Sequence, residues 1–288
     1  MPVVITGASG LVGPHAVRAL LGTAPEVRAV VRRPEAAPPL RDLGAKVAVG
    51  ALSDAEDLAV VMRGAHTVLH LAGGLDLPDA SAYERANLTT TITALEAARL
   101  AGVRRFVLLS FPGASPDSPN AYLRAKGLAE RAVGASGLEF AVIRSNHVLG
   151  PGGRWVGALE RQARSHPALV VAPGTQVLAP VFVGDVAAVL AATDHREQLE
   201  SGTWALDGPE RVTADRLTDL VAGRPRRWKV HVGPAMLARL ARLSRRPVST
   251  VTLDVLASDA VADAPDAAAQ FGVELTPLRE GIARSFGG

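Results

Sequence analysis

The chain of 288 residues contains no cysteine. This absence excludes disulfide bonds, thiol catalysis and cysteine-ligated metal sites, and it favours a protein of the reducing cytoplasm. No leader segment is expected at the amino end, and no window reaches the roughly 18 uncharged apolar residues of a membrane span. Aromatic residues make up only 4% of the chain. The core is therefore expected to consist of aliphatic residues.

Small aliphatic residues are plentiful instead. Hydrophobic residues account for 48% of the chain and charged residues for 20%, which predicts an ordered protein with a large core. A core of Ala, Val and Leu suits helices packed on a parallel sheet. The net charge is only +3, and the arginine clusters at 224–227 and 239–246 are interpreted as solvated surface. We therefore expect neither a nucleic-acid partner nor a membrane, and no metal site, because no His and carboxylate positions have metal-ligand spacing.

The first motif follows a short apolar run at the amino end, MPVVITGASGLVGPHAV. A strand that enters a helix through a glycine-rich turn leaves the first N–H groups of that helix free to bind an anion. Gly7 permits the tight turn, Gly10 the approach of a pyrophosphate, and Gly13 the close packing of the helix. Hydroxyl donors are expected from Thr6 and Ser9. The predicted phosphate-binding residues are Gly7, Ser9, Gly10, Leu11 and Val12.

Beyond this loop, strand-like and helix-like stretches alternate, which predicts a parallel sheet covered by helices on both faces. The expected fold class is α/β, a doubly wound parallel sheet of the Rossmann type with a smaller carboxyl-terminal substrate lobe. Residues 1–150 are assigned to the dinucleotide-binding core and 151–288 to the lobe. A last core strand and helix are interleaved at about 180–195, with the strand at 181–183 and Asp185 capping the helix. The other predicted strands are 3–5, 27–31, 46–49, 67–71, 105–109 and 139–143, and the helices are 54–62, 81–100 and 122–133.

The residue that follows the second strand contacts the adenosine ribose in such folds. Arg32 and Arg33 occupy this place, and no acidic residue occurs before Glu35. Because guanidinium groups bind phosphate through paired hydrogen bonds, the predicted cofactor is NADP, bound as NADPH, rather than NAD. The alternative is a surface arginine pair that happens to follow a strand.

Tyr122 and Lys126 lie four residues apart, on one face of a predicted helix. An ammonium group favours a neighbouring phenolate, which predicts a lowered tyrosine pKa. Tyr122 is therefore a candidate proton donor to a carbonyl that accepts hydride. Lys126 is also a candidate ligand of the nicotinamide ribose. The alternative is a helix pair with no chemical role.

Several segments resemble those of an extended or atypical short-chain dehydrogenase/reductase: TGASGLVG at the amino end, HLAGG at 70–74, YLRAK at 122–126 and IRSNHVLGPGG at 143–153. The segment FVLLSFPGASPDSPNAYLRAKGLAERAV is similar to the branch that includes NmrA-like proteins and the nucleotide-binding accessory subunit of respiratory complex I. VFVGDVAAVL and WALDGPERVTADRLTDLVAG extend the resemblance over nearly the whole chain. The glycine loop and the Tyr-x-x-x-Lys pair are specific for the superfamily and not for a substrate.

The resemblance implies a serine, a tyrosine and a lysine that act together. Tyr122 and Lys126 match this pattern, and Ser110 is the candidate serine. It is followed by Phe111 and a proline where relatives carry further small hydroxyl residues, which places Ser110 early and Ser115 late for reaching the carbonyl. The alternative is that either serine only forms a turn. The resemblance also implies cofactor contacts from the HLAGG segment, namely Leu71, Ala72 and Gly73.

The sequence departs from the family pattern at two further places. Residues 50–52, Gly-Ala-Leu, lack an aspartate expected near the adenine, and His147 follows Arg144 in a loop that usually begins Arg-Pro. Since this loop is expected beside the nicotinamide, His147 is a second candidate proton donor. Asn87 is interpreted as structural. Candidate pocket residues are Arg154, Trp155 and Arg161.

The leading hypothesis is an NADPH-dependent oxidoreductase that reduces a ketone or quinone-like carbonyl of a small molecule, such as an aromatic or polyketide natural product. Two alternatives stay open. One is a non-catalytic NAD(P)H-binding sensor or assembly factor, favoured by the imperfect serine position. The other is a nucleotide-sugar epimerase or dehydratase. The oligomeric state is left open.

Overall fold

The computed structural model of the chain describes residues 1–225, 228–243 and 248–286. Parts of the two arginine clusters, Arg226, Arg227, Arg245 and Arg246, lie outside the described residues. The strands are β1 (Val3–Thr6), β2 (Val27–Val31), β3 (Lys46–Val49), β4 (Thr67–His70), β5 (Arg105–Ser110), β6 (Glu139–Ser145), β7 (Val148–Leu149), β8 (Ala168–Val171), β9 (Val177–Leu178), β10 (Val181–Phe182), β11 (Gly202–Leu206), β12 (Val212–Thr213) and β13 (Lys229–Val232).

The helices run in the same order between them. They are α1 (Gly13–Leu21), α2 (Pro38–Asp42), α3 (Ala55–Met62), α4 (Ala80–Glu84), α5 (Thr90–Leu100), α6 (Ala121–Gly134), α7 (Arg154–Arg164), α8 (Val183–His195), α9 (Ala214–Val221), α10 (Pro234–Leu243), α11 (Thr250–Leu256), α12 (Ala267–Phe271) and α13 (Leu278–Phe286). A π-helical turn, Arg85–Thr89, joins α4 to α5, so the single long helix expected over 81–100 is interrupted there. Among the described residues, no helix is long and apolar enough to cross a bilayer.

The central sheet has seven strands in the order β11-β6-β5-β4-β1-β2-β3, and each neighbouring pair is parallel. On β1, Ile5 lies opposite Ala29 of β2 on one side and Leu69 of β4 on the other. The predicted doubly wound Rossmann sheet is therefore confirmed. The strand order reverses at β1, so the cleft that binds ligands in such sheets opens between the carboxyl ends of β1 and β4.

Both faces of the sheet are buried. Alternate residues of β1 show this directly, because Val3 and Ile5 pack into one apolar cluster and Val4 into the other. The first cluster is completed by α1, α8 and α12, and the second by α3, α5 and α6. Strands buried on both sides are nearly continuous apolar runs, which is why they were readable in the sequence.

The carboxyl-terminal half contains two departures from prediction. The seventh strand of the main sheet is β11, which pairs with β6 and was not predicted. The expected core strand at 181–183 is instead the short β10, which pairs only with β7 among the described strands. Asp185 does not cap α8 either, because its carboxylate accepts hydrogen bonds from the backbone N–H and hydroxyl of Thr276.

The other short strands pair outside the main sheet, β9 with β12 and β8 with β13. Strands β8, β9 and β12, together with α7, α9, α11 and α13, surround a third apolar cluster. Tyr83, Phe111 and Tyr122, from the first half of the chain, also belong to this cluster. The later elements therefore pack against the amino-terminal end of α6, where the candidate proton donor lies.

Candidate active site

The glycine loop has the geometry that its sequence demands. Gly7 has φ +69°, and a Cβ atom there would lie 2.5 Å from the backbone nitrogen of Ala72. A Cβ atom at Gly13 would lie 2.0 Å from the carbonyl oxygen of Ala8. Helix α1 begins without a side-chain cap; the N–H of its first residue, Gly13, donates to the carbonyl of Gly10 at 3.2 Å, and Pro14 has no N–H.

We expect Gly13→Ala to lower the free energy of unfolding by about 3 kcal/mol, because its new methyl group must displace the backbone of Ala8. Gly22 provides the matched control at the other end of α1. It has φ −77°, and a Cβ atom added there would have no heavy atom within 4 Å. Gly22→Ala should therefore leave stability unchanged or raise it by up to about 1 kcal/mol. Urea unfolding of both variants checks the prediction, and equal effects would contradict it.

Two cavities lie side by side along the carboxyl edge of the sheet, with volumes of about 330 and 280 Å³. Both are lined by Gly7, Gly10, Leu71 and Gly73, so they form one cleft. The larger one continues toward Tyr122 and Lys126, and the smaller one toward Arg32. Of the predicted cofactor residues, these ten line the cleft: Gly7, Ser9, Gly10, Leu11, Val12, Arg32, Leu71, Ala72, Gly73 and Lys126.

The two arginines after β2 have different surroundings. Arg32 lines the smaller cavity together with Gly50 and Leu52, the segment without the expected aspartate. Arg33 is not among the lining residues, and its side chain lies 3.6 Å from Glu35 in an exposed ion pair. Only Arg32 is therefore placed to meet a group bound in this cavity.

Asn87 holds the loop that follows β4. Its side-chain oxygen accepts from the backbone N–H of Gly74 at 3.1 Å, and its amide donates to the carbonyls of Gly74 and Tyr83. A Cβ atom at Gly73 would lie only 2.6 Å from that oxygen. The π-helical turn that carries Asn87 thus fixes the loop between the two cavities, in agreement with a structural role.

Tyr122 and Lys126 both face the larger cavity from α6. The ring of Tyr122 packs edge-on against Tyr83 and Phe111, with centroids 6.2 and 5.8 Å away. The Nζ of Lys126 donates to the carbonyl oxygen of Leu109 at 2.8 Å. The helix therefore brings the pair together at the cleft, as the spacing predicts.

The predicted lowering of the tyrosine pKa is not seen. Burial, together with the neighbouring Tyr83 and Glu130, raises the pKa of Tyr122 above its usual value. Burial lowers the pKa of Lys126 to about 8. The desolvation of both groups outweighs any attraction between ammonium and phenolate, because the ammonium is directed at the Leu109 carbonyl. At neutral pH Tyr122 is thus a phenol that carries its proton.

Ser110 lines the cavity, but its hydroxyl donates to the carboxylate of Glu130 at 2.5 Å. Glu130 also forms a salt bridge with Arg144 at 2.6 Å. Ser115 is not among the lining residues, and its hydroxyl accepts from the backbone N–H of Asp117. Neither candidate serine is therefore oriented by a hydrogen bond toward Tyr122, whose neighbour in the cavity wall is Phe111.

His147 lies in the same wall. Its ring packs between Phe111 and Trp155, with centroid distances of 5.1 and 4.8 Å. Burial lowers its pKa to about 4, so the imidazole is neutral at pH 7 and holds no imidazolium proton to donate. Of the other candidate pocket residues, Trp155 lines this cavity, whereas Arg154 pairs with Asp76 and Arg161 lines a separate surface depression.

Thr6 does not supply a hydroxyl to the glycine loop. It is fully buried, and its Oγ1 is hydrogen-bonded at 2.8 Å to Nδ1 of His70, which ends the neighbouring strand β4. Ser9, by contrast, lines the smaller cavity. The register of β1 against β4 pairs Thr6 with His70, a contact that the sequence did not indicate.

The model of a family described as NAD(P)H-binding matches residues 7–193. The chain belongs to this family. The match covers the glycine loop, the Tyr122 helix and the strands between them, and it confirms the resemblance to extended short-chain dehydrogenases/reductases of the NmrA-like branch.

Two curated relatives are named after different roles. Ceramide reductase of Caulobacter vibrioides is 35% identical over 190 residues, which cover 66% of this chain and 60% of the relative. An Arabidopsis thaliana mitochondrial protein, NADH dehydrogenase [ubiquinone] 1 alpha subcomplex subunit 9, is 29% identical over 79% of this chain and 59% of its own length. The chain thus spans about 60% of the length of these relatives.

Solved structures extend the comparison over the whole chain. MoeE5, solved with UDP-glucuronic acid and NAD, is 27% identical with a TM-score of 0.77, covering 99% of this chain and 97% of that one. Triphenylmethane reductase of Citrobacter sp., complexed with NADP(H), has a TM-score of 0.80 at 20% identity and covers 99% and 100%. The shared feature is a nicotinamide dinucleotide bound on the same fold, NAD in one case and NADP(H) in the other.

Proposed function

We propose that the protein is an NADPH-dependent reductase of a ketone or quinone-like carbonyl in a small apolar molecule. The observation that carries the proposal is the position of Tyr122 and Lys126 in the cavity that continues from the glycine loop. At neutral pH Tyr122 holds the proton that a carbonyl oxygen needs as hydride reaches its carbon, although its raised pKa makes it a weaker acid than an ordinary tyrosine. The reductase names of relatives support this reaction class.

Each residue's proposed role follows from its position in the cleft. The glycine loop, with Gly7 and Gly10, would hold the pyrophosphate and Lys126 the nicotinamide ribose. When bound, a nicotinamide cofactor would supply the hydride for the carbonyl carbon. The hydroxyl of Tyr122 would give its proton to the carbonyl oxygen, which yields an alcohol and a tyrosinate that takes a proton back from solvent before the next turnover. On the far side of Ser110, Glu130 accepts the hydrogen bond of the serine hydroxyl and forms a salt bridge with Arg144.

The cavity walls indicate the character of the substrate. The chain has few aromatic residues, yet Phe111, Tyr122 and Trp155 all line this cavity, as does His147. Flat aromatic surfaces pack well on such walls. We therefore propose an aromatic or polyketide-like carbonyl compound that enters between the core, residues 1–150, and the substrate lobe, 151–288, of an enzyme of the cytoplasm.

The cofactor preference is tested by the two arginines. Arg32→Ala should weaken NADPH binding by about tenfold or more, because a guanidinium at this place binds the 2′-phosphate, and should leave NADH binding unchanged. Arg33→Ala is the matched control and should change either affinity by less than about twofold, since Arg33 pairs with Glu35. Calorimetric titration with both dinucleotides measures this. Equal binding of NADPH and NADH by the native protein would overturn the NADP assignment.

A non-catalytic dinucleotide-binding protein is the second candidate. Two observations favour it: the hydroxyl of Ser110 donates to Glu130, and Phe111 is the neighbour of Tyr122. A screen of aromatic ketones and quinones for NADPH oxidation separates the two candidates. Turnover that depends on Tyr122 supports the reductase, whereas binding without turnover supports the sensor. An NAD retained through purification would favour the nucleotide-sugar epimerase type, since the similar MoeE5 structure holds NAD together with UDP-glucuronic acid.

A further inference from the structure

The imidazole of His147 is held in one tautomer by the residue before it. The amide nitrogen of Asn146 donates to Oδ1 of Asp207 at 2.9 Å and to the carbonyl oxygen of Ala260. Both partners are acceptors, so this end of the amide is the NH₂ group. The side-chain oxygen of Asn146 must therefore face the other way.

That oxygen meets His147 twice. It accepts from the backbone N–H of His147 at 2.8 Å, and it lies 3.2 Å from Nδ1 of the ring. Since an amide oxygen cannot donate, Nδ1 carries the hydrogen of the neutral imidazole. The other ring nitrogen, Nε2, is left as a bare acceptor.

Nε2 of His147 is buried and has no hydrogen-bond partner in the described structure. Buried polar atoms are rarely left in this condition, and a ligand is one of the groups that satisfies them. His147 lines the larger cavity, and Trp155, which packs on its ring, lines it too. A molecule that fills the cavity therefore lies against the wall that these two rings form, and a hydrogen bond to the buried Nε2 requires a small shift of that wall.

We propose that His147 is a specificity-determining residue that accepts a hydrogen bond from a hydroxyl group of the substrate. The substrate class is then a flat hydroxylated carbonyl compound, such as a phenolic ketone, with its hydroxyl at His147 and its carbonyl at Tyr122. The carbonyl group of this substrate follows from the proposed reductase function, on which the inference rests. The hydroxyl group follows from the tautomer of His147 that Asn146 and its partners fix. This acceptor role replaces the role of proton donor that the sequence suggested for His147.

The tautomer is tested without any ligand. ¹⁵N NMR of the native protein at neutral pH should show His147 protonated on Nδ1 and bare on Nε2, with the signal assigned by its loss in His147→Phe. A proton on Nε2 would overturn the proposal, because the ring would then be a donor toward the cavity. In Asn146→Leu both tautomers of His147 should be populated, which would show that the Asn146 amide fixes the tautomer in the native protein.

The substrate class is tested with a matched pair of ketones, 6-hydroxy-1-tetralone and 6-methoxy-1-tetralone. The native protein with NADPH should bind the hydroxy ketone about tenfold more tightly, the usual size of one hydrogen bond to a buried acceptor. His147→Phe should abolish this preference and His147→Gln, whose side-chain oxygen is an acceptor, should retain part of it. Trp155→Phe changes the same wall without removing the acceptor and should keep the preference.

The outcomes separate this inference from the proposed function. Equal affinities for the two ketones, failure of both to bind, or a preference that survives in His147→Phe would overturn the role of His147. A preference that depends on His147, without oxidation of NADPH by either ketone, would sustain the hydroxyl site and overturn the reductase.

Discussion

Tyr122→Phe is expected to lower kcat for carbonyl reduction by about 100-fold or more, which is the usual contribution of a positioned proton donor. The phenylalanine ring keeps the edge-on contacts with Tyr83 and Phe111, so the cavity wall and the fold should be preserved. Affinity for NADPH should change by less than about twofold, because the lost hydroxyl serves the substrate oxygen. Steady-state oxidation of NADPH and calorimetric titration measure the two effects separately.

The control is the chain's other tyrosine. Tyr83 touches the ring of Tyr122, but its hydroxyl donates to the carbonyl of Leu75 at 2.6 Å and accepts from the N–H of Leu77. Tyr83→Phe should therefore lower the free energy of unfolding by about 1–3 kcal/mol while leaving most turnover intact. Equal losses of turnover in both variants would mean that packing and not proton transfer is disturbed. Full activity of Tyr122→Phe would assign the proton to the substrate itself, for example to a phenol.

The parts of the fold that were predicted correctly depend on local patterns. Strands β1, β2, β4 and β5 are largely apolar runs because both faces of the sheet are buried there, and such runs are visible in the sequence. The glycine loop is equally local, since the positive φ of Gly7 and the contact of Gly13 with Ala8 arise within one turn. The helix boundary at Asp54 was also readable, because its carboxylate caps N–H groups two and three residues ahead.

The parts that were missed depend on distant pairing. Strand β11 is recognised only by its position beside β6, about sixty residues earlier in the chain. Asp185 has the right place for a helix cap, but Thr276 of the carboxyl-terminal segment bonds its carboxylate. The same holds in the site, where Glu130 takes the hydroxyl of Ser110 and where Asp207 fixes the amide of Asn146. Motif spacing identifies which residues converge but not which of their atoms are left for a ligand.

Lys126→Met is expected to stabilise the protein and to inactivate it. The Lys126 side chain is 6% exposed, and its pKa of about 8 lies below the value of about 10.4 in an unfolded chain. Between these two values the unfolded state binds the additional proton, so the folded state is penalised at neutral pH and gains stability as the pH rises. Methionine removes that penalty at similar volume, less the hydrogen bond to Leu109. We expect the free energy of unfolding of Lys126→Met to exceed that of the native protein by about 1–3 kcal/mol at pH 7.

The pH dependence distinguishes this cause from improved packing. The advantage of Lys126→Met over the native protein should be fully present below pH 8 and should vanish above about pH 10.4, where the lysine is neutral in both states. Urea unfolding across this range measures it, and Lys46→Met, at an exposed lysine paired with Glu26, should change stability by less than about 1 kcal/mol. Turnover should fall by about 100-fold or more in Lys126→Met, because the ammonium that we propose as a ligand of the nicotinamide ribose is gone. A variant less stable than the native protein, or a stability gain that does not depend on pH, would show that the buried charge of Lys126 is compensated within the fold. The expected result would show that a lysine at this helix position serves binding and chemistry at the expense of stability.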